Sequence, residues 1–141
     1  ALPRDFFLES TSFGIGSKLM IFRWGRRRFY LWHFSVADRI LKDGEPAATW
    51  AAAWLNTYAR ITGIAFAPND TGGIDWRRRY RLPVRSRDEW GRWCFQYTTG
   101  CRHDRDKNQI IVWVFNHCHD DDLKVLPPEF ALRTKAAAIT E

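Results

Sequence analysis

The apolar positions of this chain gather into short dense runs, and two of these carry the strongest signal. Trp93-Cys94-Phe95-Gln96-Tyr97 and Ile110-Ile111-Val112-Trp113-Val114-Phe115 are rich in β-branched and aromatic side chains, which favour strands. The polar segment between them, Thr98 to Gln109, reads as a hairpin loop. The second run is apolar at every position, the pattern of a strand covered on both faces at a sheet centre. A further hairpin is expected from Lys18 to Phe34. There Leu19-Met20-Ile21-Phe22 and Phe29-Tyr30-Leu31-Trp32 flank a tip at Trp24-Gly25-Arg26, and Gly25 supplies the positive φ of a tight turn. Residues 1–16 form a lead-in in which Phe6, Phe7 and Leu8 dock as a short strand or turn.

A helical period replaces the strand period in the middle of the chain. Pro46 is a favoured first helical position, and the pattern runs from it through Ile61 to Gly63. Trp50, Trp54, Tyr58 and Ile61 fall on one stripe, predicting an aromatic face buried against a sheet, with alanines filling much of the rest. A shorter helix, Val36 to Lys42, is expected before it, capped by Ser35, with Asp38 in its first turn and Gly44 at its end. Ile64-Ala65-Phe66 reads as a short strand and residues 68–73 as a loop. Trp76 to Arg87 allows a strand that Pro83 confines to an edge. Beyond Pro127-Pro128, residues Glu129 to Ile139 suggest a C-terminal helix. There is no internal repeat and no linker. Strands segregated from helices predict a single α+β domain over residues 1–141, an antiparallel sheet of about four to six strands packed against two or three helices.

Composition sharpens the picture mainly through charge. The 141 residues are 45% apolar, enough for a sizeable core and too many for a disordered chain. The net charge is +6, from 22 basic and 16 acidic side chains. The basic ones are mostly Arg, clustered at 26–28, 77–79 and 81–87. Such clusters point to a polyanionic partner, either nucleic acid (DNA or RNA) or an acidic protein surface, and Arg suits two-pronged contact with phosphate or carboxylate. No apolar run approaches the ~20 residues that span a bilayer, so no membrane partner is expected. No signal-peptide pattern is visible at the N-terminal end. Three cysteines, Cys94, Cys101 and Cys118, are an odd number, whereas a secreted framework would pair them all. The expectation is therefore an intracellular, cytoplasmic protein without a structural disulfide.

Three kinds of chemistry compete for the polar residues. Cys94, Cys101, His103, His117, Cys118 and His119 are all possible zinc ligands. In the hairpin reading, however, Cys101 and His103 sit at a tip some 30 Å from residues 117–119, so no zinc bridging the two groups is expected. A smaller site from His117, His119 and an aspartate of 120–122 competes with an ordinary solvated loop. Asp120, Asp121 and Asp122 could join Asp88 or Glu89 to hold Mg²⁺ for phosphodiester hydrolysis, with His117 as acid or base. They would equally cap the segment that follows. No nucleophile elbow, phosphate-binding loop, H-E-x-x-H or dinucleotide glycine pattern is present.

The third chemistry is nucleic-acid binding. Trp76-Arg77-Arg78-Arg79-Tyr80-Arg81 and Phe22-Arg23-Trp24-Gly25-Arg26-Arg27-Arg28-Phe29-Tyr30 interleave guanidinium groups with aromatics. Arg neutralises phosphate while an exposed Trp or Tyr stacks on unpaired bases. The leading expectation is a non-enzymatic module engaging nucleic acid through Arg23, Trp24, Arg26, Arg27, Arg28, Trp76, Arg77, Arg78, Arg79 and Arg81, with no catalytic residue, metal or cofactor assigned. The alternatives are an inhibitor or adaptor docking on an acidic partner, then a metal-dependent nuclease.

Overall fold

The central hairpin forms where its turn chemistry places it. Gly25 holds φ at +59° and, with Arg26, closes a two-residue turn between β2 (Ser17–Trp24) and β3 (Arg27–Ser35). A computed structural model of the chain describes residues 6–59, 64–79, 94 and 96–130. Among them the lead-in is a full strand, β1 (Phe7–Gly14), antiparallel to β2. Helices α1 (Ala37–Ile40) and α2 (Ala47–Tyr58) and strands β4 (Ile64–Pro68) and β5 (Ile74–Arg78) intervene before the last hairpin. That hairpin is β6 (Gln96–Asp104) and β7 (Gln109–His117). The main sheet is antiparallel in the order β1-β2-β3-β7-β6, with β4 and β5 forming a separate two-stranded sheet. The α+β class and the antiparallel sheet match the expectation from sequence.

β7 runs between β3 and β6 and is buried from Ile110 to His117, as its unbroken apolar run requires. Tyr30, Trp32, Phe34, Ile110, Val112 and Val114 point to one side of the sheet, where they meet α2, β4 and β5. Phe29, Leu31, Ile111, Trp113 and Phe115 point to the other, where Phe6, Leu126 and Phe130 cover them. The polar segment 98–109 is mostly strand, not loop: β6 continues to Asp104, and only residues 105–108 turn. Pairing with β7 supplies hydrogen bonds that local polarity does not reveal.

The helices depart from expectation in an instructive way. α2 turns its small side chains to the sheet: Ala48, Ala51, Ala52 and Leu55 are the buried ones. Trp50 and Trp54 lie half-buried along the margin, 4.9 Å from Phe34 in each case, and Tyr58 is 65% exposed. The sheet already fills this interface with Tyr30, Trp32 and Phe34, so a close-packed core needs alanine from the helix. Asn56 fixes the helix to β4, its amide both donating to the Phe66 carbonyl and accepting from the Phe66 N–H at 2.8 Å. Ser35 does not cap α1 but ends β3. The cap comes from the β6–β7 turn, where Asn108 Oδ1 accepts from the Asp38 N–H at 2.9 Å and Asn108 Nδ2 donates to Asp38 at 2.7 Å. Pro46 precedes the first turn of α2. The far end of that predicted helix (60–63), the ribbon beyond Arg79 and the C-terminal helix lie outside the described residues, except that Pro128–Phe130 is a single 3₁₀ turn.

Candidate functional site

Two arginine clusters, distant in sequence, meet at one end of the sheet. In the ladder Arg28 pairs with Asn116, and Asn116 pairs with Tyr97. Arg28 and Tyr97 are thus two strands apart, about 10 Å. The Arg78 guanidinium lies 5.9 Å from the Tyr97 ring centroid and 5.6 Å from that of Trp76. The tip of the β2–β3 hairpin and the end of β5 therefore lie at the same end of the sheet. Arg26 is exposed at the turn, Arg79 is exposed at the end of β5, and Arg77 and Arg78 are half-buried. Arg81 lies outside the described residues.

The other tip residues are engaged by the protein itself. Arg28 grips Glu9 with two nitrogens, at 2.9 and 3.3 Å. Arg23 donates to the Gly25 carbonyl at 2.9 Å and lies 4.0 Å from Glu9. Arg27 lies with its guanidinium 4.0 Å over the Trp24 ring and its Nε 2.8 Å from Asp122. Phe6 packs against Trp24 at 5.6 Å. Trp76, expected as a stacking platform, is only 7% exposed and packs edge-on against Tyr97, so it belongs to the core and offers no open face.

Beneath the arginines lies a buried polar network that the sequence flagged only as loose candidate ligands. His117 is 2% exposed. Its Nδ1 lies 3.0 Å from the His119 carbonyl and its Nε2 3.0 Å from the Thr98 hydroxyl. A carbonyl can only accept, so Nδ1 carries a proton; in the neutral ring, which burial favours, Nε2 then accepts from the Thr98 hydroxyl. Burial lowers the His117 pKa, against the opposing pull of the His119 carbonyl and nearby aspartates. Asp122 Oδ2 accepts from the backbone N–H groups of Cys118 and His119, each at 2.9 Å. Burial alone would raise its pKa, but Arg27 and these two amides outweigh burial and hold it below the ordinary value. Asn116 donates to the carbonyls of Cys94 and Gln96 at 2.9 and 3.2 Å. The Asp122 and His119 contacts are local, within four residues, whereas Thr98, Cys94 and Gln96 reach the network from across the β6–β7 pairing.

Cys94 and Cys118 are joined by a disulfide, which corrects the expectation that none is present. An odd cysteine count excluded a fully paired framework but not one bond with a third cysteine left over. That third residue, Cys101, is a free thiol in mid-strand opposite Val112, not at a hairpin tip. Burial pushes its pKa up to about 11, so it stays protonated. It packs with the core on the α2 side of the sheet, whereas His117 stacks on Phe115 on the other side. Those two are thus on opposite faces. Among the described residues no group of three or more His, Cys, Asp or Glu is placed to hold a metal. Asp121 pairs with Lys124 at 3.2 Å, Asp122 belongs to Arg27, and Asp88 and Glu89 lie outside the described residues. At the opposite end of the sheet, Phe13, Lys18, Met20 and His33 line an open groove of about 430 Å³.

None of the described helices is long and apolar enough to cross a membrane. No family model, curated protein or solved structure matches the chain.

Proposed function

We propose that the basic end of the sheet binds a polyanion, and that the protein is a non-enzymatic nucleic-acid-binding module working mainly through phosphate contacts. The observation that carries this is that the 23–28 and 77–79 arginine clusters lie at the same end of the main sheet. Arg26 and Arg79 are exposed there, ready to meet phosphate. The engaged arginines have a supporting part: Arg27, tied to Asp122, steadies the turn that presents Arg26. Base stacking recedes in this reading, because Trp76 is buried and Trp24 is flanked by Arg27 and Phe6. Binding should then be insensitive to sequence and similar for single strands and duplexes once charge density is allowed for. Cytoplasmic residence drops out of the reading, since a structural disulfide normally persists in oxidising compartments.

A fluorescence-anisotropy titration of duplex and single-stranded oligonucleotides across a salt series tests this. The expected result is a linear fall of log affinity with log salt. Arg26→Ala with Arg79→Ala should lower the duplex slope by about 0.9 for each phosphate left unneutralised. These two side chains are exposed, so the fold should tolerate both changes. No binding to any nucleic acid at low salt, with salt-sensitive binding to polyglutamate instead, would favour docking on an acidic protein. Strand cleavage dependent on added Mg²⁺ would favour the nuclease.

A further inference from the structure

β1 is an edge of the main sheet: among the described residues it pairs with β2 alone, and all its positions are exposed. Phe7, Leu8 and Phe13 are 58%, 52% and 74% exposed. Edge strands usually carry Lys, Pro or unpaired charge that prevents another chain from adding to them. Residues 7–14 contain neither Lys nor Pro, and their one charge, Glu9, is held by Arg28 at 2.9 Å. Among the described residues the edge is therefore unpaired and apolar at both ends, with a bulge between Leu8 and Ser10 and the Lys18 ammonium 5.5 Å from the Phe13 ring centroid.

The register makes this edge complementary to itself. Leu8 and Phe13 are an odd number of residues apart and would lie on opposite faces of a regular strand. A bulge between Leu8 and Ser10 removes that mismatch. Leu8 pairs with Phe22, Thr11 with Met20 and Phe13 with Lys18, so measured along β2 the two apolar residues flank Thr11 symmetrically and share its face. The flanking positions follow the same symmetry. Ser10 and Ser12 lie opposite Ile21 and Leu19, one step either side of Met20, and Phe7 and Gly14 lie opposite Arg23 and Ser17, three steps either side. A two-fold axis at Thr11 would set Leu8 against Phe13 of a second copy, Ser10 against Ser12, Phe7 over Gly14, and Thr11 against itself. These are favourable cross-strand pairs, and a closed two-fold contact is the commonest route to a homodimer.

We propose that a second copy of this chain is the partner of β1, added antiparallel about Thr11 so that the two sheets become one. Because the axis residue faces its own twin, the test can be specific. Sedimentation velocity of the whole chain over a concentration series should reveal a reversible monomer–dimer equilibrium. Thr11→Lys, which sets like charge against like at an exposed position, should weaken it at least about tenfold, as should Thr11→Glu. Mixing the Lys and Glu variants should restore dimer, now as a heterodimer, while circular dichroism shows both folded. A wild type that stays monomeric throughout the series overturns the proposal and leaves the edge to a strand from another protein. A dimer that Thr11→Lys leaves intact, or variants whose mixture fails to rescue, overturns it equally.

Discussion

The Nε of Arg27 lies 2.8 Å from Oδ2 of Asp122, and this contact ties the tip of the β2–β3 hairpin to the 3₁₀ turn that follows β7. The same oxygen accepts from two backbone amides, so one carboxylate holds an ion pair and two hydrogen bonds. Asp122→Ala would leave a largely buried guanidinium without its counter-charge and both amides without their acceptor. Breaking a buried pair costs about 3–5 kcal/mol, and because the Arg27 side chain keeps 22% exposure the lower end, ~3 kcal/mol, is expected. Urea unfolding measures this directly, and a loss under ~1 kcal/mol would show the contact to be incidental.

Two groups give this end of the sheet an acid limit. The folded-state pKa of His117 is lowered by burial, so its contribution is complete above the unfolded value of ~6.5 and is lost as pH falls toward the folded value. Protonation also ends the Nε2 acceptance from Thr98. The pKa of Asp122 is lowered as well, despite burial, by Arg27 and the two amides. Its contribution is complete above the unfolded value near 4 and disappears as pH falls through the folded one. The stability curve should therefore decline in two stages on acidification. His117→Gln should flatten the first stage, just below ~6.5, and Asp122→Asn the second. An unchanged first stage in His117→Gln would assign it to another group.

Reduction of Cys94–Cys118 should destabilise the fold. The bond closes a loop with a sequence separation of 24 residues. On loop-closure entropy such a bond is worth about 3.5 kcal/mol. Thermal melting with and without reductant, with Cys94→Ser plus Cys118→Ser as control, should give a lower melting temperature in reductant for the native chain only. Equal melting of the native chain in both conditions would show that the bond contributes nothing.

How much could be read from the sequence depended on where each residue's partner lies. The Gly25 turn, the buried β7 and the α+β class were legible because turn chemistry and an unbroken apolar run are local signals. The length of β6 was not, since Thr98, Thr99 and Gly100 become strand only through pairing with Phe115, Val114 and Trp113. The burial of Trp76 was equally hidden, because Tyr97 arrives from another sheet. The aromatic stripe of α2 gave the right period and put Trp50 and Trp54 against the core, but only at its margin and with Tyr58 exposed, because the large side chains of β3 fill the centre of the interface and leave it to alanines. In the candidate site both arginine clusters were visible as composition. Their meeting, and the disulfide beside them, are products of topology.

Gly100 and Trp113 give the sharpest packing test. They are directly paired between β6 and β7, and the indole lies across the space where a glycine has no side chain. A Cβ at position 100 would meet Trp113 Cζ2 and come within 2.7 Å of Cε2. Trp113 cannot swing away easily, being 3% exposed and packed edge-on against Phe130 at 4.9 Å. Gly100→Ala should therefore cost about 1–3 kcal/mol by overpacking, even though alanine is otherwise acceptable in a strand. Trp113→Leu alone should also destabilise, by loss of buried area. In the double variant the smaller side chain makes room for the methyl group, so the combined destabilisation should fall short of the sum by ~0.5–3 kcal/mol. Strictly additive effects in denaturant titrations would mean that the two residues do not share the space between these strands.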